Sequence, residues 1–454
     1  MTVLGNIFWL IVTLGVLVTI HEMGHFWVAR RFGVKVIRFC VGFGKPIWSR
    51  YDKHGTEIAI APIPLGGYVK LLDSRDCEIS GEPAHEVYNN KPIYQRMLIM
   101  VAGPAFNFIL AFVLYWLMFV VGKQEIQPTL GEPQKTMASA GFEYGDRLRR
   151  MANEEIKTWS DVSLALITAG IDRLDIEVEV ETINGSLVNR ILPLSTVPEH
   201  VSEEDLIDHI GLSPWRIPAP AIMAELDKNL PASQAGLRQG DEITHINGEV
   251  VNDWYGLVES VQKINRPPVE IRFIRSGKEQ QITLEKLAVN PDDENKKVLG
   301  VRPQNPAKKD IAFMREMYFT LSYGPLKALG QAWNETGKIT SKSLEMMWKL
   351  VTGKASVKNL SGPITIAQVA NESAGRGFAW YLSFLALVSL SLGIINLMPV
   401  PMLDGGQMLF LAFEKIKGAP LSERFEIRAQ MVGMFLLLSL MSVAFYNDIL
   451  RSLS

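Results

Sequence analysis

A chain of 454 residues has room for two or three domains, and 46 Lys and Arg against 48 Asp and Glu leave a net charge of −2. That balance shows no preference for nucleic acid. Hydrophobic residues make up 48% and mean hydropathy is +0.12, high for a chain folded wholly in water. The apolar residues are clustered: stretches 1–20, 97–122, 377–403 and 429–447 contain no Asp, Glu, Lys or Arg. A spanning helix needs about 20 such residues, so four transmembrane helices are predicted.

The first, 1–30, carries no charge before His21, and its basic cluster (Arg30, Arg31, Lys35, Arg38) follows the apolar run. A cleaved signal peptide has the opposite order, so a retained helix with an outside N-terminus is expected. Near its end stands "HEMGH". On a helix His21 and His25 share one face and can hold one metal ion, with Glu22 beside them to take a proton from water. Two histidines that merely pack or cap a helix are the alternative. That alternative weakens in an apolar helix, where ionisable groups are costly and usually functional.

Residues 30–96 hold eleven Lys and Arg, and Lys415, Lys417, Arg424 and Arg428 follow the third apolar stretch. The positive-inside rule places both segments in the cytoplasm. Within 36–70 the sequence alternates like strands and is interrupted by Gly42, Gly44, Gly66 and Gly67. The second spanning helix is 97–122.

Residues 123–376 then lie outside, and they contain a duplication. "SAGFEYGDRLRRMANEEIKTW" (139–159) aligns with "QAGLRQGDEITHINGEVVNDW" (234–254) at a constant offset of 95. Strand–turn–strand patterns follow, with turns at Asn184-Gly185 and Ser276-Gly277. The second copy resembles the PDZ domain of bacterial membrane and periplasmic proteases. The first has Met151-Ala152-Asn153 where the second has Ile246-Asn247-Gly248. Two such domains are expected at 123–215 and 216–306. They imply capture of extended peptides, including C-termini, at a sheet edge; rigid spacers that only block access are the other reading. Residues 307–376 show helical spacing of Leu326, Leu329, Trp333, Leu344, Met347, Trp348 and Val351, with Lys327, Lys338, Lys342 and Lys349 interspersed. Amphipathic helices are expected, on the membrane interface or packed against the repeats.

The third spanning helix, 377–403, ends in "NLMPVPMLDGG" (396–406), which brings Asp404 to the same side of the membrane as His21 and His25. A catalytic zinc site needs three protein ligands and an open position. Of the other histidines (54, 85, 200, 209, 245), the last three fall in the outside region. Asp404 is the better third ligand, completing a set suited to zinc; a plain Asp-Gly turn is the alternative. A cytoplasmic loop, 404–428, and a fourth spanning helix, 429–447, complete the chain and leave the C-terminus outside.

"HEMGH" and "NLMPVPMLDGG", together with "AGPAFNFILA" in the second helix and "LSGPITIAQ" at 360–368, resemble the motifs of the site-2 protease family over essentially the full length. The resemblance implies a multi-pass α-helical protein of the bacterial inner membrane. Four transmembrane helices would combine with a membrane-associated β-hairpin element and two periplasmic PDZ domains of α+β type. It implies Zn2+ held by His21, His25 and Asp404, with Glu22 as general base. Asn396 would help hold substrate, and Pro399 and Pro401 would break the helix so that Asp404 faces the metal. Gly42 and Gly44 would belong to the hairpin element that contacts substrate. A membrane helix must unwind to be cut, and the edge of this element would pair with the unwound chain. The substrates implied are single-pass membrane proteins already trimmed outside, such as anti-sigma factors of an envelope stress response and remnant signal peptides. The PDZ pair would act as a size filter. Two competing readings remain at this stage. One is a non-proteolytic PDZ scaffold with a structural metal, and the other is a metal transporter.

Overall fold

The computed structural model describes residues 3–453 except 75–82, 199–200, 202–205, 218, 229, 265, 291–292, 306–307, 354–355 and 357–359. Among these residues four helices are long and apolar enough to cross a membrane: Val3–Arg31, Ile93–Val121, Phe378–Asn396 and Glu423–Arg451. They are called here membrane helices one to four. Helix two is the hub, packing against helices one and three around Leu17, Leu114, Tyr115, Phe119, Leu382 and Leu385. Lipid tails are as apolar as these side chains, so close packing rather than water exclusion holds the bundle. Small residues permit it. Gly24 of helix one lies against the backbone of Ala102 and Gly103 in helix two, where a Cβ would collide with the Ala102 carbonyl. Helix four is mostly unpacked: 11% of its apolar window is buried.

Helix one stops at Arg31, and Gly33 takes φ +66° just past its end, the left-handed closure that glycine favours. The chain then forms strands β1 (Val36–Phe43), β2 (Trp48–Tyr51), β3 (Glu57–Ile60) and β4 (Ile63–Leu71) in the order β2-β3-β1-β4. The hairpin element implied by the resemblance is thus part of a four-stranded sheet. Asp52 makes the extra turn by accepting the His54 and Thr56 N–H groups at 2.9 and 3.0 Å, and Arg30 pairs with it. β3 has partners on both sides, whereas β4 pairs only with β1 and leaves one edge open toward helix one.

The duplication is visible as two units with the same sheet order. Strands Arg147–Met151, Glu154–Glu155, Ile176–Glu181 and Leu187–Leu192 build the first; Glu242–Ile246, Glu249–Val250, Val269–Arg275 and Lys278–Leu284 build the second. Each has its own apolar core and one helix longer than the rest, Trp159–Asp172 or Trp254–Lys263. The divergent turn keeps its shape. Ala152 and Asn153 have φ +47° and +67°, and Asn247 and Gly248 have +50° and +83°.

Two further expectations are corrected. Residues 307–376 are not helical throughout: Tyr318–Leu321 is a strand paired antiparallel with Lys123–Ile126. The chain leaving helix two finds its backbone partner in the chain returning from the repeats. Residues 404–428 are not a plain loop either. They open with a helix, Asp404–Lys417, which buries Phe410 and Leu411, pairs Glu414 with Arg96 of helix two, and ends at Gly418 with φ +74°.

The helix Pro325–Val351 joins the two halves of the molecule. Ala328 and Ala332 are buried against helix two, and the Trp116 indole N–H donates to the Pro325 carbonyl at 3.0 Å. Its lysines reach the first repeat unit: Lys338 to Asp161, Lys342 to Glu154 at 2.9 Å, and Lys349 to Asp172 at 2.8 Å. A cavity of about 650 Å³ lined by Lys123, Glu125, Asp161, Glu335 and Lys338 lies behind these pairs. Leu326, Trp333, Trp348 and Val351 stay exposed, an apolar stripe of the kind that faces a membrane surface.

Candidate metal centre

His21 and His25 lie on successive turns of membrane helix one and are both buried, with Nε2 atoms 3.3 Å apart. Asp404 reaches them from the other end of the chain. Membrane helix three ends at Asn396; residues 397–403 fold back, the Leu403 N–H donating to the Val400 carbonyl at 2.8 Å, and a helix restarts at Asp404. Pro399 and Pro401 stand in this turn, where neither has an N–H to extend the helical ladder. Gly405 and Gly406 let the new helix sit on the turn. A Cβ on the first would strike the Leu397 carbonyl, and one on the second the Val400 carbonyl.

Asp404 Oδ2 is 3.2 Å from His21 Nε2 and 3.4 Å from His25 Nε2. With the 3.3 Å between the imidazole nitrogens, the three atoms form a nearly equilateral triangle. A tetrahedron around zinc with bonds of about 2.0 Å has edges of about 3.3 Å, so the donor set fits that ion. Asp404 Oδ2 is buried and accepts no hydrogen bond, although both rings face it. Two imidazole nitrogens and a carboxylate oxygen that converge in this way suit a cation. The Ile99 carbonyl accepts from His25 Nδ1 at 2.7 Å, which directs the Nε2 lone pair into the triangle. Three side chains make up this group among the described residues, and a tetrahedral ion held by them would keep a fourth position for water or substrate. No other described histidine joins it, and His200 lies outside the described residues.

Glu22 stands beside the triangle, and the Val69 N–H of β4 donates to its carboxylate. Gly67, also on β4, lies against Glu22 and the Cys40 carbonyl. Asn396 is half-buried at the end of helix three. Gly42 and Gly44, with φ +94° and +106°, shape the end of β1 next to Ala61 and Pro62, and it is Gly67 that touches Glu22. In the sequence Gly67 is one of four glycines that interrupt 36–70, and nothing along the chain sets Val69 apart. A Cβ on Gly103 would run into the rings of His21 and His25. The quoted "AGPAFN" motif was the available signal for that last position.

The family description Peptidase family M50 matches residues 9–440. Relatives align along nearly their whole length. A Xylella fastidiosa protein described as a zinc metalloprotease is 41% identical, covering 98% of this chain and 99% of its own. Protease RseP of Yersinia pestis is 40% identical over 99% of this chain and 100% of its own. Regulator of sigma-E protease RseP of Escherichia coli is 40% identical over 97% of each. Among solved structures, the PDZ domain of the SdrC-like protein from Listeria innocua aligns with 19% of this chain at 16% identity and a TM-score of 0.17.

Proposed function

The chain belongs to peptidase family M50, and from that premise we propose that it is an intramembrane zinc metalloprotease. It cuts the membrane segment of single-pass proteins after a first cut outside. The observation that carries the reading is the triangle of His21, His25 and Asp404, closed between two distant membrane-helix ends with edges of 3.2–3.4 Å. A bound zinc ion supplies the Lewis acidity that makes water nucleophilic near neutral pH and polarises the scissile carbonyl. Glu22 takes the proton from the attacking water and delivers it to the leaving amine. The Val69 N–H keeps that carboxylate aimed at the site.

The open edge of β4 receives the unwound substrate as an added strand, which satisfies the backbone groups released from the substrate's helix. β3 is already paired on both sides, so proline substitutions test this reading best at the edge itself, in 63–71. Asn396 and the prolines of the 397–403 turn help hold the substrate, and Gly42 and Gly44 shape the sheet. The two repeat units are PDZ domains on the periplasmic side of a bacterial inner membrane, as are both chain termini. The groove of the second, about 630 Å³ between Trp254–Lys263 and Leu299–Arg302, takes an extended peptide end. Together the units screen out untrimmed ectodomains. By kinship with the sigma-E regulators, the substrates are an anti-sigma factor and remnant signal peptides.

Zinc content and cleavage test this in detergent-purified full-length protein. About one zinc per chain is expected in wild type, and Asp404→Asn and His25→Phe should each lose or weaken it. Glu22→Gln should keep zinc and lose cleavage of a single-pass substrate. Zinc indifferent to Asp404, or cleavage surviving in Glu22→Gln, would move the scaffold reading to the front.

A further inference from the structure

Membrane helix two contributes no side chain to the triangle, yet one stripe of it touches both imidazoles. Ile99, Gly103 and Asn107 recur at i, i+4 and i+8 and therefore share a face. The Ile99 carbonyl is 2.7 Å from His25 Nδ1. Gly103 leaves open the space beside the rings, where a Cβ would meet His25 Nε2 and His21 Cε1. The Asn107 side-chain amide is 3.1 Å from His21 Nδ1. Asn107 is fully buried, and its Oδ1 has no hydrogen-bond partner. An amide so placed is costly unless its position serves a purpose. Its backbone is fixed from the other side, where the fully buried Ser389 of helix three donates from Oγ to the Asn107 carbonyl at 2.8 Å.

The chemistry of a ligating imidazole decides which way the amide turns. A neutral ring that offers Nε2 to a metal carries its proton on Nδ1, which must then donate. The Ile99 carbonyl can only accept, so His25 is already set. His21 needs an acceptor as well. The Asn107 amide supplies one when half a turn about its terminal bond brings the unpartnered oxygen to His21 Nδ1, since oxygen and nitrogen occupy equivalent places.

We infer that Asn107 is the positioning residue for His21: its amide oxygen accepts the Nδ1 proton and so holds Nε2 toward the metal, as the Ile99 carbonyl does for His25. Helix two thereby acts as an outer shell for both histidines. The inference rests on the zinc centre proposed above and adds a residue to it.

The test is zinc affinity of full-length protein in detergent, by competition with a chromophoric chelator, alongside the visible spectrum of the cobalt-substituted protein. Asn107→Leu keeps the shape and removes the acceptor; its affinity should fall about 10–100-fold, with a shifted cobalt spectrum. Asn107→Asp restores an acceptor and should recover most of the affinity. A purely structural role predicts the reverse order, because Leu suits an apolar helix and a buried carboxylate does not. Unchanged affinity in Asn107→Leu, or Asn107→Asp binding no better than Leu, would overturn the inference. Should Asn107→Leu fail to fold, Asn107→Ser, too short to reach Nδ1, takes its place with the same expectations. Wild type that takes up no zinc would instead bring down the metal centre itself.

Discussion

The two ends of the membrane bundle are built on different principles. At the metal end, positions are fixed by backbone touching backbone, Gly24 on Ala102, Gly405 on Leu397 and Gly406 on Val400, and by the bare backbone of Gly103 beneath two imidazoles. At the repeat end, the first unit is held by lysine–carboxylate pairs, one of which, Lys338 with Asp161, borders a cavity of about 650 Å³. Contact between backbones has no slack, because a single added methyl group has nowhere to go. Ion pairs beside water can lengthen, exchange partners and reform at small cost. The proposed metal centre therefore sits in the stiff half, and the first repeat unit is joined through the compliant one.

The largest effect should come from breaking the stiff half. Gly103→Val drives a branched side chain into both histidine rings, so zinc per chain should fall to near zero while the repeat units remain folded. Zinc retained in that variant would mean that the rings have room to retreat, and the contrast between the ends would fail. A smaller effect is expected at the other end. Lys338→Met with Lys342→Met should loosen the first unit by about 1–2 kcal/mol, seen as faster hydrogen exchange across 154–172, with zinc content unchanged. Raising salt in wild type should move exchange in the same direction.

The same clamp should respond to acid. Burial opposes the ionisation of Asp161, but the Lys338 hydrogen bond and charge outweigh it and hold the carboxyl below its ordinary range. Its contribution is then fully present above about pH 4 and is lost as pH falls through the lowered value. Exchange in 154–172 should accelerate over that window and do so less in Lys338→Met. The smallest effect concerns the turns. Ala152 holds φ +47° without the side chain or the freedom that make Asn247 and Gly248 comfortable there. Ala152→Asn should raise the melting temperature of the first unit slightly, by at most about 1 kcal/mol in stability. No gain would show that the left-handed turn carries little strain.

How much of this was legible in the sequence follows the range of the interactions. His21, Glu22 and His25 declare themselves through the helical period, and Asp404 through the count of membrane crossings. The duplication shows because backbone turns demand particular residues at Gly145 and Gly240, with φ +84° and +88°. The fourth strand of the sheet depends on Asp52 closing a polar turn, which no apolar alternation announces. The helix after Asp404 was obscured by its Asp-Gly-Gly start, which reads as a turn but serves close packing. Gly67, Val69 and Asn107 acquire roles only where separate segments converge, and no spacing along the chain encodes that.

The strand pair Lys123–Ile126 with Tyr318–Leu321 brings the start and finish of the repeat-bearing stretch side by side. A segment whose two ends meet can enter or leave a host chain without stretching it. Residues 127–317 are in that sense a cassette: a short turn could replace them and leave the four-helix host closed, and other cassettes could be spliced at the same junction.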